Sequence, residues 1–443
     1  MTWVLVVSQE PVGERIAGPA IRALELSRAL AAECDVTLAA PAPSRADGEP
    51  FGLLEAGMAD FEVLHEALQR HDVVVAQRLP AQLLRRVRRL PVRYVADLYN
   101  PIVVEGLEAA AREPELRATA SVRQTALTVM AQCAAADFVV CASEKQRDLW
   151  LGGMSMAGLV DLRAYRHDPT YRQFVDVVPF GVPSEPPRAA ARPLKGAWPG
   201  IGPGDEVLIW GGGIWRWLDA LTPIRAVERL NDHGRAVHLF FLGIDRPSAA
   251  PERVPSGAAA AIEFARERGL EGNRVHFKEG WTPYDERAGY LLDADLGVSA
   301  HHDHLEARFS FRTRVLDYIW AGLPVVTSGG DSVAELVERE GLGATVAPGD
   351  DEGFASACAR LLDERPEQPA VARDALRWPV AARPLIDFCL DPERPVPRKY
   401  GAALALATYG QYPFIAARRR ESDGPGAVVR SAGRWVYRAL RRS

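Results

Sequence analysis

The sequence predicts an α/β fold of two doubly wound, Rossmann-like domains facing each other across a cleft, followed by a C-terminal helical tail. Short, near-continuous Val/Ala/Leu runs, which suit strands buried on both faces of a parallel sheet, alternate with helical patterns. The alternation stops at a proline-rich stretch, residues 183–203, and then restarts. After about Arg383 it gives way to an arginine-rich tail.

The alternation places strands in both halves of the chain. In the first half the expected strands are Trp3–Val7, Val36–Ala40, Val73–Ala76, Arg93–Asp97, Phe138–Ala142 and Val175–Pro179. In the second half they are Val207–Trp210, His238–Leu242, Val275–Phe277, Leu296–Ser299 and Pro324–Thr327. We therefore predict a first domain over residues 1–190, a second over 191–385, and a helical segment over 386–443 that partly crosses back.

Composition narrows the class of protein. The 443 residues are 48% hydrophobic and 25% charged, as in ordinary soluble domains, and the net charge of −5 gives no reason to expect nucleic-acid binding. The five cysteines include no C-x-x-C pair, so neither a zinc site nor a disulfide framework is indicated. No apolar stretch reaches the roughly 20 residues of a membrane-spanning helix. These features together predict a cytoplasmic protein.

The tail has the pattern of a basic amphipathic helix. Apolar residues recur at helical spacing from Val428 to Ala439, and arginines from Arg430 to Arg441 line the opposite face. Such a helix can lie on an anionic membrane surface, which would make the protein peripheral at the inner face of the membrane. The alternative is a helix packed on its own domain with a solvated arginine face.

Ligands of open α/β sheets bind beyond the carboxyl ends of the strands, so the loops there are the candidate site. In the first half, the loop 13–22 offers Gly18 and Arg22 near the start of a helix. Asp97, at the end of a strand, precedes Tyr99 and Asn100. Asp97 can hydrogen-bond a sugar hydroxyl or act as a base, although an isolated Asp after a strand is also a common turn former.

The second half contains two further candidate loops. Residues 210–217, WGGGIWRW, combine a glycine turn that includes Gly213 with the cation Arg216. Trp215 and Trp217 beside it suit either packing or stacking on a sugar. Residues 301–314, HHDHLEARFSFRTR, contain histidines and carboxylates, but their spacing does not match a zinc motif. Their arginines would repel a cation and suit a phosphate, so no metal is expected.

The second half resembles the retaining GT-B glycosyltransferases of family GT4. The resemblance rests on ADLGVS at 294–299, on 306–314, on DYIWAGLPVV at 317–326 and on GLGATVAPG at 341–349. Within that family the chain is most similar to a bacterial subgroup that carries E-T-R-F-S-F-R-T-R. The subgroup also carries W-G-G-G-I-W, found here at 210–215, and A-S-E-x-Q-R-D, found here at 142–148. Its D-L-Y-D-P corresponds to residues 97–101, with Asn100 in place of the second Asp. The resemblance covers nearly the whole chain except the last fifty or so residues.

The resemblance implies a GT-B fold and a reaction. The second domain would bind a nucleotide-diphosphate-sugar donor, and the first would bind a saccharide, lipid-linked or small-molecule acceptor. The sugar would be transferred with retention and without metal or cofactor, because helix N-termini and arginines would stabilise the leaving diphosphate. The implied setting is the biosynthesis of cell-envelope or extracellular polysaccharide, or of a glycosylated metabolite.

The resemblance also suggests roles for residues. Asp97 and Glu306 are the catalytic candidates, and Trp281 is the candidate for stacking on the base. The acceptor-side candidates are Arg22, Tyr99 and Asn100. Donor and diphosphate binding is assigned to Gly18, Gly213, Arg216, Arg308, Ser310, Phe311, Arg312, Thr313 and Asp317.

The sequence also departs from the family pattern. Asp317 stands where the family has the second Glu of its E-x7-E motif, and Phe309 stands where it has the first. Glu306 is then the nearest substitute for that first Glu. The Arg and Lys that the family has after the first strand of the second domain are also missing, and the possible substitutes are Arg216, Arg308, Arg312 and Arg314. Two alternatives stay open: a catalytically silent binding or partner protein of the same fold, and another GT-B enzyme such as a nucleotide-sugar epimerase or a sugar phosphorylase.

Overall fold

The computed structural model describes residues 1–244, 256–391, 393–394, 407, 410 and 411. It contains two parallel sheets, one of seven strands and one of six, with helices packed around them. This confirms the predicted α/β fold of two doubly wound domains. The predicted basic helix near the C-terminus lies outside the described residues.

The first sheet has the strand order β3-β2-β1-β4-β5-β6-β7. Its strands are β1 (Trp3–Val7), β2 (Asp35–Ala40), β3 (Gly52–Glu55), β4 (Val73–Ala76), β5 (Arg93–Asp97), β6 (Phe138–Cys141) and β7 (Val175–Val177). The helices of this half are α1 (Gly18–Ala31), α2 (Phe61–Arg70), α3 (Ala81–Val87), α4 (Ile102–Ala110), α5 (Glu115–Ala135), α6 (Glu144–Met156) and α7 (Leu162–His167).

The second sheet has the order β10-β9-β8-β11-β12-β13. Its strands are β8 (Glu206–Trp210), β9 (Val237–Phe241), β10 (Val275–Phe277), β11 (Leu296–Ser299), β12 (Val325–Ser328) and β13 (Gly343–Val346). Its helices are α8 (Leu221–Asp232), α9 (Ser256–Glu267), α10 (Arg287–Leu291), α11 (Leu305–Phe309), α12 (Thr313–Ala321), α13 (Ser332–Arg339) and α14 (Asp351–Glu364). A 3₁₀ turn, Tyr284–Glu286, precedes α10.

The strand order positions the candidate site. It reverses between β1 and β4 in the first sheet and between β8 and β11 in the second. A crevice opens at each reversal, because the connections on its two sides leave toward opposite faces of the sheet. The loops after β1, β8 and β11 therefore lie where a ligand of such sheets binds, and the loop after β5 lies at the same edge, beside β4.

The chain returns to the first domain after α15 (Ala370–Ala375), and the structure continues through α16 (Trp378–Ala381) and α17 (Arg383–Leu390). Phe388 of α17 stacks on Phe138 of β6 with a centroid distance of 4.9 Å. Arg383 Nη1 lies 2.7 Å from the Glu33 carboxylate, just after the end of the first domain's α1. The chain thus crosses back near residue 377, ahead of the boundary we placed at 385.

The sequence analysis missed two strands, β3 and β13, which lie at sheet edges. The residues of β3 are half-buried or exposed, and those of β13 are half-buried. The inner strands β4 and β6 are instead fully buried and carry the near-continuous apolar runs that sequence reasoning detects. Neither strand has such a run, so its sequence does not stand out.

Candidate functional site

The first domain contributes a buried ion pair between Arg22 and Asp97. Arg22 lies in α1 and is 0% exposed, whereas Asp97 is the last residue of β5 and is 4% exposed. The Nε and Nη2 atoms of Arg22 donate to the two Asp97 oxygens at 2.7 and 2.8 Å. The guanidinium also donates to the carbonyls of Pro179 and Val178 at 3.0 and 2.9 Å. Both carboxylate oxygens of Asp97 are therefore occupied by Arg22.

Tyr99 covers this ion pair. The Arg22 guanidinium carbon lies 4.7 Å from the centroid of the Tyr99 ring. Burial raises the pKa of the Tyr99 hydroxyl well above its usual value. A Cβ atom on Gly18 would lie 3.9 Å from that hydroxyl, so α1 begins beside Tyr99. The structure thus brings together Gly18, Arg22, Asp97 and Tyr99, and the half-buried Asn100 follows in the same loop.

The glycine turn after β8 is held by two residues of α12. The Gly211 N–H donates to the Tyr318 hydroxyl oxygen at 2.7 Å, and this hydroxyl donates to the Val298 carbonyl at 2.9 Å. The Gly213 carbonyl accepts from Arg314 Nη2 at 2.9 Å. Arg216, exposed, follows the turn.

Arg314 is a half-buried cation with unused donor capacity. Its guanidinium lies 4.5 Å from the centroid of the Trp210 ring, and its buried Nη1 atom has no hydrogen-bond partner. Burial lowers its pKa to about 10, so it is charged at neutral pH. A charged guanidinium with a free N–H, in the first turn of α12, suits a phosphate oxygen.

Glu306 and Arg312 form the second buried ion pair of the site. Glu306 lies in α11 and is 0% exposed. Its Oε1 accepts from Ser310 Oγ at 2.7 Å and from Arg312 Nη1 at 3.1 Å, and its Oε2 accepts from Arg312 Nη2 at 2.8 Å. Glu306 thus holds Arg312 at the residue that precedes α12.

Two further buried groups adjoin Arg312. Asp331 Oδ2 lies 3.6 Å from Arg312 Nε and 3.9 Å from His301 Nδ1, and none of these three atoms has a hydrogen-bond partner. Burial raises the pKa of Asp331 to about 6, with Arg312 opposing the rise. Burial and the Arg312 charge lower the pKa of His301 to about 3, so His301 is neutral. This end of the sheet therefore retains polar atoms able to bind a further ligand.

Glu105 faces this cluster from the first domain. It lies in α4, which contacts α11 across the cleft, and it is half-buried. Burial raises its pKa to about 7; the Glu306 charge adds to the rise, and Arg312 opposes it. The sequence analysis missed Glu105, because nothing in its local pattern shows that α4 faces the second domain.

The remaining donor-side candidates are spread along α11 and α12. Arg308 is exposed, Ser310 is bound to Glu306, and Thr313 is the first residue of α12. Phe311 packs at the edge of the apolar core. Asp317 accepts from Arg287 Nε at 3.1 Å.

Trp281 lies between the two domains. Its Nε1 donates to the carbonyl of Ile16, in the loop before α1, at 3.0 Å. Two further contacts join the domains: Gln146 Nε2 donates to the Phe309 carbonyl at 2.9 Å, and Lys145 Nζ lies 2.7 Å from Glu335. Polar contacts therefore connect the two domains at more than one place. The base-binding role of Trp281 stays a prediction.

The histidines of the 301–304 segment have separate partners. His301 Nε2 lies 3.2 Å from the Gly329 carbonyl, and His304 Nε2 lies 3.0 Å from the Trp217 carbonyl. In the part of the chain that the structure describes, no group of three or more His, Cys, Asp or Glu side chains is placed to hold a metal ion. Among the same residues, no helix is both long and apolar enough to cross a bilayer.

Comparison with solved structures identifies the architecture. Anabaena HepE in complex with UDP and glucose superposes with a TM-score of 0.60 at 13% identity, over 88% of this chain and 97% of that one. The fold is GT-B. Sucrose-phosphate synthase from Thermosynechococcus elongatus shares this GT-B fold, with a TM-score of 0.54 at 16% identity over 100% of both chains. An E. coli structure described as trehalose-6-phosphate bound with UDP-2-fluoro glucose gives 0.59 at 15% identity, over 90% and 100% of the two chains.

The second GT-B domain carries a family match. Residues 206–364 match the family model described as glycosyl transferases group 1. This region runs from β8 through α14 and contains both Glu306 and the start of α12. A comparison with curated proteins finds no match. The family match and the GT-B fold together support a glycosyltransferase.

Proposed function

We propose that the protein is a retaining glycosyltransferase of the GT4 type. It transfers a sugar from a nucleotide-diphosphate-sugar donor to an acceptor hydroxyl without a bound metal ion. The observation that carries the proposal is the glycosyl transferases group 1 match, which contains the buried Arg312 and the half-buried Arg314 at the N-terminus of α12. A leaving diphosphate develops negative charge, and fixed cations and helix N–H groups stabilise that charge without reorganisation.

The donor side of the proposal follows from the contacts. Arg314 offers its unpaired Nη1 to the diphosphate beside the glycine turn. Glu306 holds the two Nη atoms of Arg312, so its role here is to position that guanidinium. Asp317 is the candidate for the ribose hydroxyls, and Arg287 fixes its carboxylate.

The acceptor side lies on the first domain. Asp97 is enclosed by Arg22, so we assign it a positioning role beneath Tyr99. Glu105 supplies a carboxyl group with a pKa near neutrality, which can hold or accept a proton as an acceptor hydroxyl reacts. Both groups lie on the first-domain side of the cleft, where the acceptor is expected.

The proposed setting is cell-envelope or extracellular polysaccharide biosynthesis at the inner face of the membrane. The arginine-rich tail predicted from the sequence is the membrane-binding candidate, and a chain truncated after Gly424 tests it. The full chain should sediment with anionic vesicles and the truncated chain should not. Equal sedimentation of the two chains would remove the tail from the proposal.

The Glu306–Arg312 pair also favours a second function, that of a nucleotide-binding protein without catalysis. Glu306 is the nearest substitute for the missing family Glu at 309, yet it is 0% exposed and both its oxygens are bound. A carboxylate so enclosed is not available to bind a donor sugar. In this second function the chain would bind nucleotide and transfer nothing.

Thermal unfolding in the presence of nucleotides tests the proposal. UDP, GDP, dTDP and ADP are each added with and without excess EDTA, because a ligand that binds only the folded state raises Tm. UDP comes first, since the Anabaena and E. coli structures contain uridine nucleotides. A shift with one nucleotide that EDTA does not reduce, together with slow hydrolysis of the matching nucleotide sugar, is the expected result. A shift without hydrolysis favours the binding protein, and no shift contradicts both functions.

A further inference from the structure

The A-S-E-x-Q-R-D stretch, residues 142–148, has no role in the function proposed above. It begins directly after β6 and continues into the first turns of α6. Ser143 caps this helix, because its side-chain oxygen accepts from the Gln146 N–H at 3.2 Å. Arg147 anchors the helix to the first sheet, since its Nε donates to the Val175 carbonyl at 2.7 Å. The start of α6 is therefore fixed within the first domain.

Gln146 joins this fixed turn to the second domain. Its side chain is 0% exposed. Its Oε1 accepts from the Ala142 N–H at 2.8 Å, and its Nε2 donates to the Phe309 carbonyl at 2.9 Å. Phe309 is the last residue of α11, and the last carbonyls of a helix have no partner within that helix. One buried amide thus connects α6 of the first domain to the C-terminal end of α11.

Lys145, the preceding residue, contacts a second segment of the same domain. Its Nζ donates to the Gly330 carbonyl at 2.8 Å and lies 2.7 Å from the Glu335 carboxylate. The Lys145 side chain is 25% exposed and that of Glu335 is 56% exposed, so this contact should be weaker than that of Gln146. The two neighbouring side chains therefore hold two separate backbone segments of the second domain.

Both segments carry buried charges of the candidate site. Arg312 lies three residues after Phe309 and pairs with Glu306. Asp331 directly follows Gly330, and its Oδ2 lies 3.6 Å from Arg312 Nε. The position of the two held carbonyls therefore influences where the Arg312 guanidinium and the start of α12 lie.

We propose that Lys145 and Gln146, which we call the α6 latch, hold the two domains closed and position the Arg312 segment for the donor diphosphate. The inference rests on the proposed function, because the diphosphate is the ligand that this segment would bind. Both latch residues act through backbone carbonyls and touch no substrate, so they are positioning residues. Opening of the domains must break both contacts. A ligand that binds only the closed arrangement then binds more weakly when the latch is lost.

Gln146→Glu tests the contact between the domains, because it removes the N–H donor and keeps an acceptor for the Ala142 N–H. In small-angle X-ray scattering the full-length variant should have a larger radius of gyration than the wild type. In calorimetric titrations at pH 8 it should bind UDP roughly 2- to 10-fold more weakly than the wild type, the effect of one hydrogen bond. Burial favours a protonated carboxyl group, which can donate to the Phe309 carbonyl again. The ratio of variant to wild-type affinity should therefore approach one at pH 5.

The matched control is Gln132→Glu, a change of the same chemistry within one domain. Gln132 is 2% exposed; its Oε1 accepts from the Leu79 N–H at 2.9 Å, and its Nε2 donates to the Leu79 carbonyl at 3.2 Å. This variant should lose thermal stability and keep the wild-type radius of gyration and UDP affinity. Lys145→Met guards against misfolding of the Gln146 variant, because the Lys145 side chain lies partly in solvent. It should keep the wild-type Tm and still enlarge the radius of gyration.

Three results would overturn the latch. The first is an unchanged radius of gyration in both Gln146→Glu and Lys145→Met. The second is wild-type UDP affinity in Gln146→Glu at pH 8, and the third is an equal loss of affinity in Gln132→Glu. If the wild type binds no nucleotide, the proposed function fails instead, and the radius of gyration alone decides the latch.

Discussion

Arg312 directs both Nη atoms to the buried carboxylate of Glu306, six residues earlier in the chain, at 3.1 and 2.8 Å. Its Nε points toward a second buried carboxylate, that of Asp331, at 3.6 Å. One guanidinium thus lies between two carboxylates at the carboxyl end of the second sheet. The charge on Arg312 is therefore needed for the stability of this loop as well as for any anion that binds there.

We expect Arg312→Ala to lower the free energy of unfolding by roughly 3–5 kcal/mol, because it leaves the Glu306 carboxylate buried without a partner. Urea unfolding of the two proteins measures the difference. Glu306→Gln in the Arg312→Ala background should restore part of the loss, since the unpaired charge is then gone. Equal unfolding midpoints for Arg312→Ala and wild type would show that this pair contributes no stability.

Arg314 is the residue on which we expect nucleotide binding to depend most. Its Nη1 has no partner beside the glycine turn, and hydrogen bonds to charged groups contribute about 1.5–3 kcal/mol. Arg314→Met should therefore weaken UDP binding by roughly 10- to 150-fold in a calorimetric titration. The matched control is Arg266→Met, because Arg266 is exposed on α9, belongs to no candidate site and should change the affinity little. An equal loss in both variants would indicate long-range electrostatics rather than a contact.

The sequence predicted most of the fold because buried parallel strands leave a strong signal. Runs such as Val73–Ala76 and Phe138–Cys141 are apolar along their whole length and buried on both faces. The edge strands β3 and β13 lack such runs and were missed. The loops at the strand ends were found from their glycines and charges, since topology places such loops at one edge of each sheet.

The partners within the site could not be predicted from the sequence. Arg22 and Asp97 are 75 positions apart, and their pairing depends on how α1 packs on the first sheet. Asp97 therefore had the pattern of a catalytic candidate, whereas the structure encloses it. Glu105 left no signal because its environment is created by the other domain. Local patterns report which residues lie at a strand end, but burial and pairing are set by tertiary contacts.

We expect Glu105 to make stability depend on pH. Its pKa in the folded protein is about 7, above the roughly 4.3 of an unfolded chain, so between these values the folded state binds more protons. The free energy of unfolding should then fall as pH rises from about 4.5 to 8. Glu105→Gln removes this dependence and should be more stable than wild type at pH 8 by roughly 1–3 kcal/mol, with little difference at pH 4.5. A stability difference independent of pH would place the Glu105 carboxyl in an ordinary solvent environment.

The Arg22–Asp97 pair provides a test of whether Asp97 positions or reacts. If Asp97 positions Arg22, then Asp97→Ala and Arg22→Ala should each cost roughly 3–5 kcal/mol of unfolding free energy, because each leaves one charge buried alone. The double variant should cost less than the sum of the two. Arg383→Ala, which breaks a half-exposed pair with Glu33, should cost under about 1 kcal/mol and serves as the control. Wild-type stability in Asp97→Ala combined with loss of transfer would instead make Asp97 a catalytic residue, since its carboxylate would then act on substrate rather than on Arg22.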